Sequence, residues 1–181
     1  MYYPTVLGVA PRGRKPNIEL SKRMATKWGK LFNVPASWLM TIADMESTHD
    51  PSKVNPAVVS KGGAWGLYQQ MFNEVPYKMG IIVKFYGKDP EIKKTAKKWR
   101  GSGQDLLDPD LNAMITAWQL SRLRKIFGDN PTVIAAAYHQ GENAVRRRVE
   151  AGKPPVGPEQ PAGQVYVAKM MSTLPKYTGV V

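Results

Sequence analysis

The chain contains no cysteine, so disulfides and thiolate metal sites are excluded. Only two histidines, His49 and His139, are present, which argues against a histidine-based metal centre. Asp and Glu never fall at the spacing of a calcium loop, and no cofactor is implied. No apolar run is long enough to span a bilayer. Acidic residues are scarce: 14 Asp and Glu stand against 26 Lys and Arg, a net charge of +12. Such an excess predicts an acidic partner, whether nucleic acid, an anionic membrane or an anionic polymer such as the bacterial cell wall. Charge alone does not choose among them. The stretch Met1 to Pro11 has no charged leader and only a short, Pro-broken apolar run, so it does not read as a signal peptide.

What is present fits an ordinary globular domain. There are 181 residues, 43% of them hydrophobic and 22% charged, enough for one domain with a real core. Residues 1–16 hold three prolines with Arg12, Arg14 and Lys15, and read as an arm without a core of its own. Residues 17–181 form the expected domain. Asn17 caps a first helix through Leu20, Met24, Trp28, Leu31 and Phe32. Pro35 suits the first turn of a second helix. Asp108-Pro109 starts a long helix that Gly128 ends, and Asn130-Pro131 starts another that ends near Gly141. A shorter basic helix carries Arg146, Arg147 and Arg148, and a last helix runs roughly from Gly163 to Leu174. The only strand signal is a short hairpin near Val58 to Tyr68. Phe72 to Leu107 reads as a long variable stretch holding the basic run Lys93 to Arg100. Trp28, Trp38 and Trp118 sit at helical spacings and read as core. Trp65, between two glycines, reads equally as core or as a sugar-stacking platform.

Glu46 is the most informative residue. In the second helix Leu39, Ile42 and Ala43 recur at i, i+3 and i+4. Glu46 is the i+7 member of that series, on the stripe that faces the core. A carboxylate there is either paired or has its charge disfavoured by burial. A glutamic acid held protonated near neutral pH is what a glycosidic oxygen needs as proton donor. The bland alternative is a helix-end carboxylate paired with an arginine.

Four ordered motifs surround that residue. They are Glu46-Ser47, then Gly63-Ala64-Trp65-Gly66-Leu67-Tyr68-Gln69-Gln70-Met71, then Leu107-Asp108-Pro109 with Asn112, then Ala136-Ala137-Tyr138-His139-Gln140-Gly141. Tyr166-Val167 follows near the end. Together they resemble the soluble lytic transglycosylase family, from about Ser21 to Leu174. The resemblance implies a mainly α, α+β lysozyme-like fold, with at most a short β-hairpin region flanking a substrate groove. It implies cleavage of the N-acetylmuramic acid to N-acetylglucosamine bond of peptidoglycan. A single glutamate, matching Glu46, would act as acid and then as base, and the product would be a 1,6-anhydro sugar. Ser47 matches a serine that touches substrate or orients the glutamate. Gln69 and Met71 match groove residues. Tyr138 matches the tyrosine whose hydroxyl lies near the catalytic carboxylate, and Tyr166 a second tyrosine near the groove. His139-Gln140 departs from the family's usual Asn-Ala, with His139 still able to hydrogen-bond substrate.

No carboxylate pair is evident from spacing. Asp44 lies on the opposite face of the helix from Glu46. Asp50, Glu74 and Glu142 fall in loops or at a helix start. A hydrolytic muramidase using Asp50 or Glu74 as second acid is the nearest alternative. A catalytically silent virion or secretion-channel protein is the other. Nucleic-acid binding would need base-stacking aromatics or a groove-reading helix, and the charge is only scattered. The expected partner is therefore the peptidoglycan glycan strand, with virion or channel proteins as further candidates. The place of action would be the periplasm or cell wall. The N-terminal reading suggests a bacteriophage enzyme, carried in the particle or released at lysis.

Overall fold

A computed structural model describes residues 16–55 and 62–179. The expected arm, apart from Pro16, lies outside them, as does the Val58 end of the expected hairpin. Helix α1 spans Ile18–Phe32. The side chain of Asn17 accepts from the Leu20 amide at 2.9 Å, satisfying a donor that the first turn leaves open. Helix α2 spans Ala36–Ser47, and Pro35 stands at its cap, one position before the first turn that its geometry suits. Thr48 ends α2 in the left-handed conformation, with φ 57°.

Three short strands follow: β1 Val54–Asn55, β2 Ala64–Trp65 and β3 Gln70–Met71. They pair antiparallel in that order, Val54 opposite Trp65 and Ala64 opposite Met71. The expected hairpin is thus a three-stranded sheet with its second turn at 66–69. Strands of two residues carry no readable alternation, which is why β1 and β3 escape sequence reading.

The stretch from Phe72 to Leu107 is helical over much of its length. It holds a 3-10 turn at Phe72–Glu74, helix α3 at Val75–Tyr86, helix α4 at Pro90–Ala96 and a second 3-10 turn at Gly103–Leu107. The remaining helices are α5 Pro109–Phe127, α6 Pro131–Gln140, α7 Glu142–Glu150 and α8 Pro161–Thr173, closed by a 3-10 turn at Leu174–Tyr177. Asp108 caps α5 by accepting from the Asp110 and Leu111 amides at 3.0 and 2.9 Å. Asn130 caps α6 in the same way.

Helix α5 is the axis of the core. Leu111, Met114, Ile115 and Leu120 are fully buried, each stabilising the fold by roughly 1.5–3 kcal/mol relative to exposure. Trp28, Trp38 and Trp118 are buried as expected. Asp110 draws three helices together. It accepts from Lys27 and the Trp28 indole of α1 at 2.9 and 2.8 Å, from Thr95 of α4 at 3.1 Å, and from Lys98 at 3.2 Å. Burial alone would raise its pKa, but the bonds from Lys27, Trp28 and Lys98 hold it below the usual carboxylate value. Lys98, in the basic run, is therefore a structural tie to Asp108 and Asp110, while Lys93, Lys94 and Lys97 are exposed.

Candidate active site

Asn112 fixes the turn between β2 and β3. It is fully buried on α5. Its Nδ2 donates to the carbonyls of Trp65 and Leu106, both at 2.9 Å, and its Oδ1 accepts from the Tyr68 amide at 2.9 Å. Gly66 lies so close that an added Cβ would stand 2.1 Å from the Leu106 carbonyl oxygen. It also has φ +77°, which favours glycine. The motif residues Gly66 and Asn112 thus serve one purpose, a tight turn pinned to the core helix.

That turn forms one wall of an open cleft of about 700 Å³. Glu46, Gln69, Gln70, Met71, Tyr138 and His139 line it, with Glu74, Lys78, Arg122 and Glu142 further along. Glu46 is half-buried in the last turn of α2, below fully buried Leu39 and Ala43. Its stripe does face inward, and the cleft opens where the stripe ends. The Tyr166 hydroxyl of α8 donates to Glu46 Oε1 at 2.7 Å. Burial raises the Glu46 pKa above the ordinary carboxyl value, and the Tyr166 bond with the charges of Lys53 and Lys169 offsets part of that rise. Both lysines also bond the end of α2: Lys53 donates to the Glu46 carbonyl at 2.7 Å and Lys169 to that of Met45 at 3.4 Å.

A family model, the transglycosylase SLT domain, matches residues 23–154. The chain belongs to that family. Members are glycan-cleaving enzymes of the peptidoglycan, and the mainly helical fold with its small sheet is that of a lysozyme-like SLT domain. No curated protein matches the chain.

Within this SLT domain the expected site residues divide into two groups. Glu46, Gln69, Met71, Tyr138 and His139 share the cleft wall. Gln69 has φ 50° and gives its amide hydrogens to the Lys53 and Gly66 carbonyls at 3.1 and 2.9 Å. Ser47 is buried instead, its hydroxyl against the carbonyls of Ala43 at 3.0 Å and Leu67 at 2.7 Å. It ties α2 to the 66–69 turn and does not reach the cleft. Tyr138 donates to the Tyr68 carbonyl at 2.9 Å and accepts from Gln70 at 3.2 Å. The tyrosine bonded to the carboxyl is Tyr166, which lies beyond the segment the family model matches. Burial, and then the Glu46 charge, push the pKa of both phenols well above the ordinary value, so both remain donors.

Two residues that the spacing leaves unmarked also build the wall. Gln70, next to the motif glutamine, is buried and bonds Thr116 at 2.8 Å. The ammonium of Lys78, also buried, joins Gln70 Oε1 at 3.0 Å, Gln119 Oε1 at 2.9 Å and Glu74 at 2.9 Å. The i, i+4 spacing of Glu74 and Lys78 is the one signal of it in the sequence. Trp65 points away from the cleft: its indole donates to the Gly62 carbonyl at 2.8 Å and its ring lies against Gly103. Among the described residues no three His, Asp or Glu side chains cluster as a metal site requires.

Proposed function

We propose that this protein is a peptidoglycan lytic transglycosylase that breaks the β-1,4 bond between N-acetylmuramic acid and N-acetylglucosamine. Glu46 is its single acid and base. The observation that carries this reading is the Glu46 carboxyl itself, half-buried at the cleft wall with its pKa raised and one oxygen held by Tyr166.

Tyr166 occupies Oε1, so Oε2 carries the proton. Oε2–H protonates the leaving glycosidic oxygen as the C1–O bond breaks, and the substrate's acetamido group supports the charge at C1. The carboxylate then takes the proton of the muramic 6-hydroxyl while its oxygen bonds to C1. The anhydro product forms without water, and Glu46 regains its proton. The Coulombic help of Lys53 and Lys169 keeps the ionised form accessible for the second step.

The other carboxylates near the cleft are committed elsewhere. Glu74 pairs with Lys78. Glu142 is held between Arg122 and Arg146. Asp50 accepts from the Ser52 amide and hydroxyl at 2.8 and 2.7 Å and does not line the cleft. A second acid activating water is therefore not supported, and the single-acid route is preferred. The net charge of +12 suits an anionic wall polymer.

Digestion of purified cell walls by the wild type and by Glu46→Gln tests the proposal, with mass analysis of the released fragments. Fragments one water lighter than hydrolysis products, absent with Glu46→Gln, are expected. Hydrated fragments would overturn the transglycosylase route, and full activity of Glu46→Gln would remove the assignment of the acid.

A further inference from the structure

The imidazole of His139 lies flat on the ring of Tyr166. The ring centroids are 4.4 Å apart and the planes 15° from parallel. This is the offset stacking that aromatic pairs favour. The same phenol holds Glu46 Oε1 at 2.7 Å. His139 belongs to the end of α6, Tyr166 to α8 and Glu46 to α2, so three helices meet in one column of side chains. His139 and Glu46 line the cleft. His139 is exposed, Tyr166 half-buried, and the neighbours Gln164 and Val165 of Tyr166 are exposed.

We propose that His139 is a positioning residue: its ring clamps Tyr166, and through Tyr166 it fixes which oxygen of Glu46 carries the catalytic proton. This rests on the reading of Glu46 as the acid.

The geometry explains why a clamp is needed. Tyr166 is half-buried on the helix face it shares with buried Gly163 and Met170, one side of its ring is covered by His139, and its hydroxyl is at the end of a side chain that pivots about two bonds. The hydrogen bond restrains the tip of the ring alone. A flat partner restrains the plane. With the plane fixed, the phenol stays on Oε1 and the proton stays on Oε2, facing the cleft. With it free, the phenol can leave Oε1 and the carboxyl can turn. Displacements of about 1 Å at a reacting group cost on the order of 100-fold in rate. Stacking needs a flat ring and no particular charge. Burial holds the His139 pKa below the usual histidine value, so the ring is neutral at neutral pH. The charged and titratable groups facing Glu46 are Tyr166 and Lys169 from α8, Lys53 from the loop before β1, and Tyr138 from α6. None of them is removed by changing His139.

Steady-state cleavage of soluble, uncross-linked glycan strands across pH, by wild type, His139→Ala, His139→Phe and Glu46→Gln, tests the clamp. His139→Phe keeps a flat ring and loses every polar atom. It is expected to restore most of the kcat that His139→Ala loses and to keep the alkaline limb at its wild-type position. His139→Ala is expected to lose about tenfold in kcat with KM unchanged. Its limb for loss of the Glu46 proton should move to higher pH, because a loosened Tyr166 no longer favours the carboxylate. A His139→Phe protein as impaired as His139→Ala overturns the clamp, as does a His139→Ala protein with unchanged kcat or a change in KM alone. The last result would make His139 a substrate contact. An active Glu46→Gln protein overturns the clamp and the acid assignment together, whereas an inactive one leaves the His139 variants to decide the clamp by themselves.

Discussion

The phenol of Tyr166 and the carboxyl of Glu46 meet at 2.7 Å although 120 residues separate them in the chain. A donor on a carboxylate favours its ionised form. Burial works the other way and dominates at Glu46. The balance leaves a carboxyl whose affinity for its proton is raised, with Tyr166, Lys53 and Lys169 offsetting part of the rise.

Removing that donor gives a signed result. Tyr166→Phe keeps the ring and loses the hydroxyl. The Glu46 pKa should rise further, the alkaline limb of the kcat profile should move to higher pH, and kcat should fall by roughly 10- to 100-fold. A pH–rate profile on soluble glycan strands reads all three.

Glu46 itself should cost stability at neutral pH. Its folded pKa is raised by burial, so between the ordinary carboxyl value and the raised one the folded protein binds a proton that the unfolded chain has lost. Stability therefore falls as pH rises through that window. Glu46→Gln removes the buried charge, so this variant is expected to melt a few degrees higher than the wild type at pH 7. The gap should close at low pH. Calorimetric scans at pH 4 and pH 7 compare the two proteins.

The turn at Gly66 should tolerate nothing larger than hydrogen. Gly66→Ala combines a positive φ with a clash against the Leu106 carbonyl and the Asn112 amide. A loss of at least about 2–3 kcal/mol is expected. Gly141→Ala is the control: φ is +90° but nothing stands within 4 Å of its added Cβ. Only backbone strain of about 1–3 kcal/mol applies there, since φ 90° with ψ 144° is a conformation that suits glycine. Urea unfolding of both variants separates strain from collision.

The segment Lys176–Tyr177 is tied to α2 by a chain of polar groups. Tyr177 donates to Asp44 at 2.8 Å and meets His49 Nε2 at 2.8 Å, while Lys176 pairs with Asp44 at 2.9 Å. Burial would raise the Asp44 pKa, but the bonds from Lys176 and Tyr177 hold it below the ordinary value. The stability from this tie is present above the ordinary carboxyl pKa and lost as pH falls through the lowered one. Tyr177→Phe should cost roughly 1–2 kcal/mol at pH 7, and less once Asp44 protonates. Denaturant midpoints at pH 7 and pH 3 measure the difference.

Much of the fold is written locally. Asn17, Asp108-Pro109 and Asn130-Pro131 mark helix starts because capping and proline geometry act within one turn. Gly128 ends α5 for a similar reason. The stripe of Leu39, Ile42 and Ala43 is enough to put Glu46 on the inner face of α2, since helical periodicity is a local property. The sheet is less legible, because two-residue strands show no alternation; α4 does carry the same local signal, Asp89 capping a helix with Pro90 in its first turn, in a stretch outside the four ordered motifs. In the site, Ser47 illustrates the limit. Its position beside the acid suggests a direct contact, yet the next residue along a helix points about 100° away, and here that direction is into the backbone of the 66–69 turn.

The sequence by itself determined the chemistry that is possible. The lack of cysteine and the two histidines argued against thiolate and histidine metal centres, and helical periodicity put Glu46 on an apolar stripe; glycan cleavage entered only through the family that the four ordered motifs resemble. The sequence also set the helix boundaries, because those depend on neighbours within a few residues. Only the tertiary structure decided which tyrosine holds the acid, that Glu142 is taken up by two arginines, and that His139 covers Tyr166. These depend on how α2, α6 and α8 pack. A bond across 120 residues follows from that packing, and no local spacing encodes it.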